Sequence, residues 1–232
     1  MTIAAMILAG GMSRRMGTDK ALLPISGVPL IRHIYHQAAA CTDAVWVVTP
    51  WGDRYRPHLP PGARILPEAI PRDGVPAGPL VALAQALPQV EATWVLVLAC
   101  DLPNLRASVL SQWQAGLSRV DSAVIAYLPR SPQGWEPLCG FYHRDRAMPS
   151  LQRCVATGER SLQRWLAGQT VQVIPTVDPA WLLNCNTPAD WQRYGDSVTL
   201  GPVNAETDAH PAAETESKSP PHPDASSPVH KS

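Results

Sequence analysis

The residues best suited to chemistry lie in two short stretches, LAGGMSRRMGTDK at 8–20 and ACDLP at 99–103. In the first, Gly10 and Gly11 follow directly on an apolar run. Glycines there let the backbone turn tightly and bring its N–H groups close to an anion, because no Cβ intervenes; an ordinary strand-to-helix turn is the alternative reading. Three cations follow, Arg14, Arg15 and Lys20. Lys20 is the only lysine in the first 200 residues, a span in which sixteen arginines supply the other positive charges. A compact ammonium acts as a point charge among several phosphate oxygens, where a planar guanidinium fits less readily. Spacing excludes two known phosphate loops. No G-x-G-x-x-G occurs, and a P-loop needs G-x-x-x-x-G-K-[ST], whereas Gly11 and Gly17 are six apart and Ala21 follows Lys20.

Asp101 opens DLPNL and has two readings. It is either the N-cap of a following helix or a hard oxygen ligand for Mg2+, which takes one or two protein carboxylates and leaves its other positions to phosphate and water. Two later segments, WEPLCGFYH (135–143) and NCNTPADW (184–191), carry polar Glu136, Asn184 and Asn186 among strand-like residues. In the second, Thr187-Pro188 reads as a helix start, with Thr187 as N-cap and Pro188 at the first helical position. His33 and His36 are three apart on a helical stretch, but with no HExxH and no third ligand nearby they read as surface or half-buried histidines.

The elements that must position these residues alternate. Residues 3–8, 44–48, 64–66, 93–100, 122–127 and 171–177 read as strands. PLIRHIYHQAAA (29–40), beginning with Pro29 in its first turn, and GPLVALAQAL (78–87), with Leu80, Leu83 and Leu87 at helical spacing, read as helices. Strands alternating with helices imply an α/β fold, a mostly parallel sheet covered on both faces, which binds ligands at the carboxyl ends of its strands. The glycine loop and Asp101 both fall just past strand ends, so both are expected at one edge of the sheet.

Composition sets the outer bounds. The chain has 232 residues, 45% hydrophobic and 16% charged, enough for one domain with a sizeable core. Zero formal net charge argues against a nucleic-acid partner. Residues 1–200 hold 17 basic and 14 acidic side chains, and the remainder hold 2 and 5, so a slightly basic body (+3) carries an acidic end (−3). A single domain over 1–198 is expected, with 199–232 as a disordered tail: from Gly201 onward it has six prolines, no aromatic residue and only valine among large aliphatics. His210, His222 and His230 in it read as solvated rather than metal-bound. Five scattered cysteines without a CxxC pair fit neither a disulfide framework nor a zinc knuckle. The amino terminus lacks the basic segment and apolar length of a signal peptide, and no stretch approaches the roughly 20 apolar residues that span a bilayer. A cytoplasmic protein with no membrane association is expected.

LAGGMSRRMGTDKALLPISGVPLI, followed in order by AGPL (77–80), ACDLP (99–103), EPLCGFYHRD (136–145), TGERSLQRWL (157–166) and NCNTPADW (184–191), strongly resembles molybdenum cofactor guanylyltransferases over about residues 3–194. The resemblance implies a Rossmann-like nucleotidyltransferase domain. It also implies a reaction in which the terminal phosphate of molybdenum-bearing molybdopterin attacks the α-phosphate of GTP, releasing pyrophosphate and forming a guanine dinucleotide cofactor. By the same resemblance, Leu8, Ala9 and Gly10 contact the nucleotide, Gly11 and Arg15 border its phosphates, Lys20 holds the triphosphate, and Asp101 binds Mg2+. Lys20, Asp101 and Arg15 form the implied catalytic set. Glu68 stands where the family often has a nucleotide-contacting aspartate, Thr49 where an asparagine is common, and Asn184 and Asn186 match an asparagine motif near the metal and the acceptor phosphate. Molybdenum-insertion proteins and molybdoenzyme chaperones are the protein partners it implies.

Three rivals remain. The first is a cytidylyltransferase acting on the same cofactor or on an isoprenoid precursor; cytidine-specific members tend to carry alanine where this chain has Gly10. A nucleotide-sugar pyrophosphorylase is the second, set against RSLQRWL and NTPADW. The third is a catalytically silent GTP-binding regulator, which would keep the loop and lose Asp101.

Overall fold

The computed structural model describes residues 1–13, 16–71, 74–175 and 177–200, the last six of these by backbone alone. Its centre is a seven-stranded sheet built from β1 (Ile3–Leu8), β2 (Val45–Thr49), β3 (Arg64–Pro67), β4 (Trp94–Ala99), β5 (Ala126–Leu128), β6 (Cys139–His143) and β7 (Val171–Val173), in the spatial order β7-β5-β6-β4-β1-β2-β3. All neighbours are parallel except β6, which runs antiparallel to both β4 and β5. The helices are α1 (Leu30–Ala39), α2 (Gly52–Tyr55), α3 (Pro79–Ala86), α4 (Ala107–Gly116), α5 (Arg144–Ala156), α6 (Leu162–Ala167) and α7 (Pro188–Leu200).

The two-residue period of β1 explains the layering. Ala5 and Ile7 point to one face and join Ile31 and Ile34 of α1 and Leu110 and Trp113 of α4. Ala4, Met6 and Leu8 point to the other and join Leu80 and Leu83 of α3, Leu151 of α5 and Trp165 of α6. A strand buried on both faces is apolar throughout, as IAAMIL is. Each such large side chain contributes about 1.5 to 3 kcal/mol of hydrophobic stabilisation. That rigidity matters at the strand ends. Leu8 is paired with Ala99 and with Val48, and Thr49 with Pro67, so the segments leaving β1, β4 and β3 start side by side.

Three local expectations shift. Pro29 is not in the first turn of α1: Val28–Pro29 pairs antiparallel with Pro24–Ile25, which holds Pro29 extended (ψ 137°) immediately before the helix. The strand expected at 122–127 begins only at Ala126, because the Asp121 carboxylate accepts from the Ala123 N–H at 2.7 Å and folds 121–124 into a turn. The pairing expected over 171–177 ends at Val173, just before Pro175, which has no N–H to extend a ladder. The tail expected from residue 199 lies outside the described residues, apart from Thr199 and Leu200, whose backbone continues α7. No helix among the described residues is long and apolar enough to cross a membrane.

Candidate active site

A cleft of about 460 Å3 opens at the carboxyl edge of the parallel strands. Its floor is the β1–β4 boundary, with Leu8, Gly10 and Gly11 from one side and Ala99, Cys100 and Asp101 from the other. The amide N–H groups of Gly10 and Gly11 bond no other backbone group among the described residues, leaving donors available for an anion.

Lys20 reaches this floor from a short 3-10 turn, Lys20–Leu22. Ser13, in the left-handed region at φ 47°, accepts the Lys20 N–H on its hydroxyl at 3.1 Å. Asp19 caps the turn by accepting the Ala21 N–H, and is itself held by the Tyr55 hydroxyl at 3.0 Å and by Arg54 at 3.0 Å. The ammonium so placed donates to Asp101 Oδ2 at 2.5 Å and to Asn186 Oδ1 at 3.0 Å.

Asp101 does not cap a helix. The next helix, α4, starts at Ala107 with Arg106 at its N-cap position. The carboxylate instead faces the cleft, and its Oδ1 is buried without a hydrogen-bond partner among the described residues. A buried anionic oxygen in that state is costly unless a ligand completes it. Its backbone carbonyl accepts from Cys185 N–H at 3.2 Å, which ties the Asp101 loop to the asparagine segment.

That segment is set by α7 as its sequence implied. The Thr187 hydroxyl accepts the Asp190 N–H at 3.2 Å, and the Asp190 carboxylate accepts in return from Asn186 N–H (3.2 Å) and Thr187 N–H (2.9 Å), a reciprocal N-terminal cap. Hydrogen bonding by the Thr187 side chain foremost, with the Asn186 and Thr187 amides adding to it, holds the Asp190 carboxyl below its usual range. Asn184 and Asn186 both line the cleft.

Glu68 enters from just beyond β3 and is 6% exposed. Its carboxylate has no hydrogen-bond or ion-pair partner among the described residues, and burial pushes its pKa up. A Cβ built on Gly10 would lie 2.0 Å from Glu68 Oε2, so the glycine is what lets this carboxylate sit against the loop. A raised carboxyl pKa means the folded state holds its proton to higher pH than the unfolded chain. Its stabilising effect is therefore complete below the ordinary value of 4.5 and disappears as pH rises through the folded value. Thermal denaturation of Glu68→Gln between pH 4 and 8 is expected to show a flatter profile than the parent and a higher Tm at neutral pH; parallel profiles would show that Glu68 is solvated.

Most of the expected site residues thus converge: Leu8, Gly10, Gly11, Lys20, Glu68, Asp101, Asn184 and Asn186 all border one cleft. Ala9 does not. It is 2% exposed and packs into the core beneath the loop, where its carbonyl accepts from the Thr49 hydroxyl at 2.8 Å. Thr49 is likewise buried and braces that loop from below. Arg15 and Arg14 lie outside the described residues. His33 is half-buried with burial depressing its pKa, and among the described residues no group of three or more His, Cys, Asp or Glu could hold a metal.

Sequence reasoning missed the cleft's second wall, where Val75, Pro76, Gly78 and Pro79 lead into α3. The Gly78-Pro79 dipeptide was the available signal, since Gly78 takes φ 95° directly before a proline-started helix. It also missed Ser13, Asp19 and Tyr55, which position Lys20 without entering the cleft themselves as a motif would.

Residues 5–173 match the MobA-like NTP transferase domain. Over 188 residues the chain is 49% identical to a probable molybdenum cofactor guanylyltransferase of a Nostoc species, covering 81% of this chain and 88% of that protein. A protein of the same description from Synechococcus elongatus is 47% identical over 192 residues, 83% and 97% of the two chains. Among solved structures, molybdopterin-guanine dinucleotide biosynthesis protein A from Archaeoglobus fulgidus aligns with a TM-score of 0.68 over 84% of this chain and 98% of its own, a likeness of fold at 21% identity.

Proposed function

The chain belongs to the MobA-like NTP transferase family, among the molybdenum cofactor guanylyltransferases, and on that premise we propose that its cleft transfers GMP from GTP to the terminal phosphate of molybdenum-bearing molybdopterin. The observation that carries this reading is the meeting of Lys20, Asp101 and Asn186 around one point at the strand edge, next to the free amides of the glycine loop.

Nucleotidyl transfer asks little covalent chemistry of a protein. An oxygen of the acceptor phosphate forms a bond to the α-phosphorus, the bond from that phosphorus to the bridging oxygen breaks, and pyrophosphate leaves with both electrons. What accelerates this is fixed positive charge and fixed donors where negative charge gathers. Lys20 supplies a point charge whose direction is set by Ser13 and Asp19, so no reorganisation accompanies the reaction. The Gly10 and Gly11 amides supply donors at close approach. Asn186 also accepts from the ammonium, and Asn184 lines the same cleft for the acceptor phosphate.

Asp101 fits Mg2+ by its donor chemistry: it offers a buried, unpartnered anionic oxygen to a hard cation that keeps phosphate and water as its other ligands. Magnesium held by Asp101 would supply positive charge to the phosphates.

Glu68 favours guanine over cytosine. The N1–H and 2-amino group of guanine present two adjacent donors to a carboxylate, whereas cytosine sets an acceptor nitrogen beside its single amino group. Gly10 keeps the space for that carboxylate. Incubating the purified protein with each nucleoside triphosphate, Mg2+ and molybdenum-bearing molybdopterin, with products identified by mass, is expected to yield the guanine dinucleotide. Comparable turnover with CTP would overturn the assignment of the donor.

A further inference from the structure

We infer that Glu136 is the acceptor-specificity residue of this cleft, reading the 2-amino-4-oxo edge of the pterin. The inference rests on the transfer reaction proposed above and adds which group recognises the acceptor's ring.

Glu136 borders the cleft on the wall opposite Glu68, in the segment that leads into β6. Its carboxylate has no hydrogen bond or ion pair among the described residues. It lies close enough to the cleft-lining Cys139 to add to the upward push that burial gives that thiol's pKa. A carboxylate standing open in a cleft that gathers phosphates is a liability, because like charge repels the substrate. It is tolerated where a ligand brings N–H donors to it instead.

The backbone around Glu136 is held firmly. Glu136 N–H donates to Pro129 O at 3.0 Å, the buried Tyr142 hydroxyl donates to Pro137 O at 2.7 Å, and Ala99 N–H donates to Leu138 O at 2.7 Å. Gln163 of α6 clamps the preceding residue, donating to Trp135 O at 2.5 Å and accepting from Trp135 N–H at 3.3 Å. A side chain on so fixed a segment is organised in advance for a rigid partner.

The order of groups across the sheet matches the product. Glu68 follows β3, the phosphate centre of Lys20 and Asp101 sits at the ends of β1 and β4, and Glu136 precedes β6. Strands β3 and β6 are four places apart, with the Glu68 side chain leaning back over Gly10 at the end of β1. The product has the same sequence of parts, a guanine at one end, a diphosphate in the middle and a pterin at the other. Guanine and pterin share one recognition edge, a ring N–H beside a 2-amino group, and a carboxylate is the matching bidentate acceptor for both. One carboxylate for each ring, with the cation between them, accounts for both unpartnered glutamates.

Steady-state kinetics of Glu136→Gln and Glu136→Asp, with calorimetric GTP binding and Tm on the same preparations, test this. For Glu136→Gln the expected result is a rise of roughly 10- to 100-fold in KM for molybdenum-bearing molybdopterin, with GTP affinity and Tm at the parent's values and Glu136→Asp intermediate. Weakened GTP binding would place Glu136 in the donor site and overturn the inference. So would a raised Mg2+ requirement with both KM values unchanged, or kinetics equal to the parent's. A parent protein that binds GTP yet forms no dinucleotide would overturn the transfer reaction itself at the first measurement, and the pterin assignment with it.

Discussion

Lys20→Met is expected to fold and to lose roughly 10- to 1000-fold in kcat/KM for GTP, the loss of one charge-assisted phosphate contact of about 1.5 to 3 kcal/mol that strengthens as charge develops. Methionine replaces the apolar stem at similar volume, but the stem is not at the surface: the Lys20 side chain is 16% exposed and its partner Asp101 12%. Removing the ammonium strands a mostly buried carboxylate, at a cost of about 1 to 3 kcal/mol. Melting is therefore expected to fall by about 2 to 4 °C per kcal/mol in a domain of this size. Lys20→Arg separates charge from shape. It is expected to restore GTP binding while leaving kcat below the parent's, because a planar fork cannot occupy the point between Asp101, Asn186 and the phosphate oxygens. An arginine variant with the parent's kcat would show that any cation suffices there; a methionine variant with the parent's kcat/KM would remove the loop from phosphate binding altogether.

Asp101→Asn carries the second large effect. The amide keeps the size of the side chain and an oxygen that still accepts from Lys20, but it is a far weaker ligand for a hard cation. Transfer at saturating Mg2+ is expected to fall by about 100-fold or more. Stability is expected to change little, since the neutral amide relieves the buried, unpartnered Oδ1 of its charge but leaves the Lys20 ammonium without its ionic partner. The two readouts separate the roles. If Tm drops sharply while activity per folded molecule is kept, Asp101 is a structural residue; the start of α4 at Ala107 already rules out helix capping as that role. Combining Lys20→Met with Asp101→Asn is expected to restore part of the Tm lost by Lys20→Met alone, because the two groups are in direct contact and their effects are not independent.

Much of this site was legible from local chemistry. An apolar run of six residues followed by two glycines, a helix begun by Thr187-Pro188 and a carboxylate just past the most apolar strand are each written within a window of a few residues, where strand period, cap preference and backbone freedom operate. Those rules determined the α/β class, the edge of the sheet where the cleft opens and the presence of Lys20 and Asp101 among the charged groups that line it. They could not separate the two readings of Asp101, since capping and metal binding ask for the same residue at the same distance from a strand end. Nor could they show that Ala9, inside the motif, turns into the core, which depends on what lies beneath it.

Tertiary structure decided which residues meet. Lys20 is 81 positions from Asp101 and 166 from Asn186, yet both contacts are within 3.0 Å. That meeting follows from strand order and register, which place the ends of β1 and β4 side by side and bring α7 back across them. The contact of Glu68 with the space above Gly10, and the standing of Glu136 on the far wall, are of the same kind. A side chain's neighbours along the chain are set by its own few bonds, whereas its neighbours across a cleft are set by how crossover connections and a shared core arrange whole strands. The sequence by itself therefore determined which chemical groups this protein has at the edge of its sheet, and the packing of the sheet decided which of them face one another.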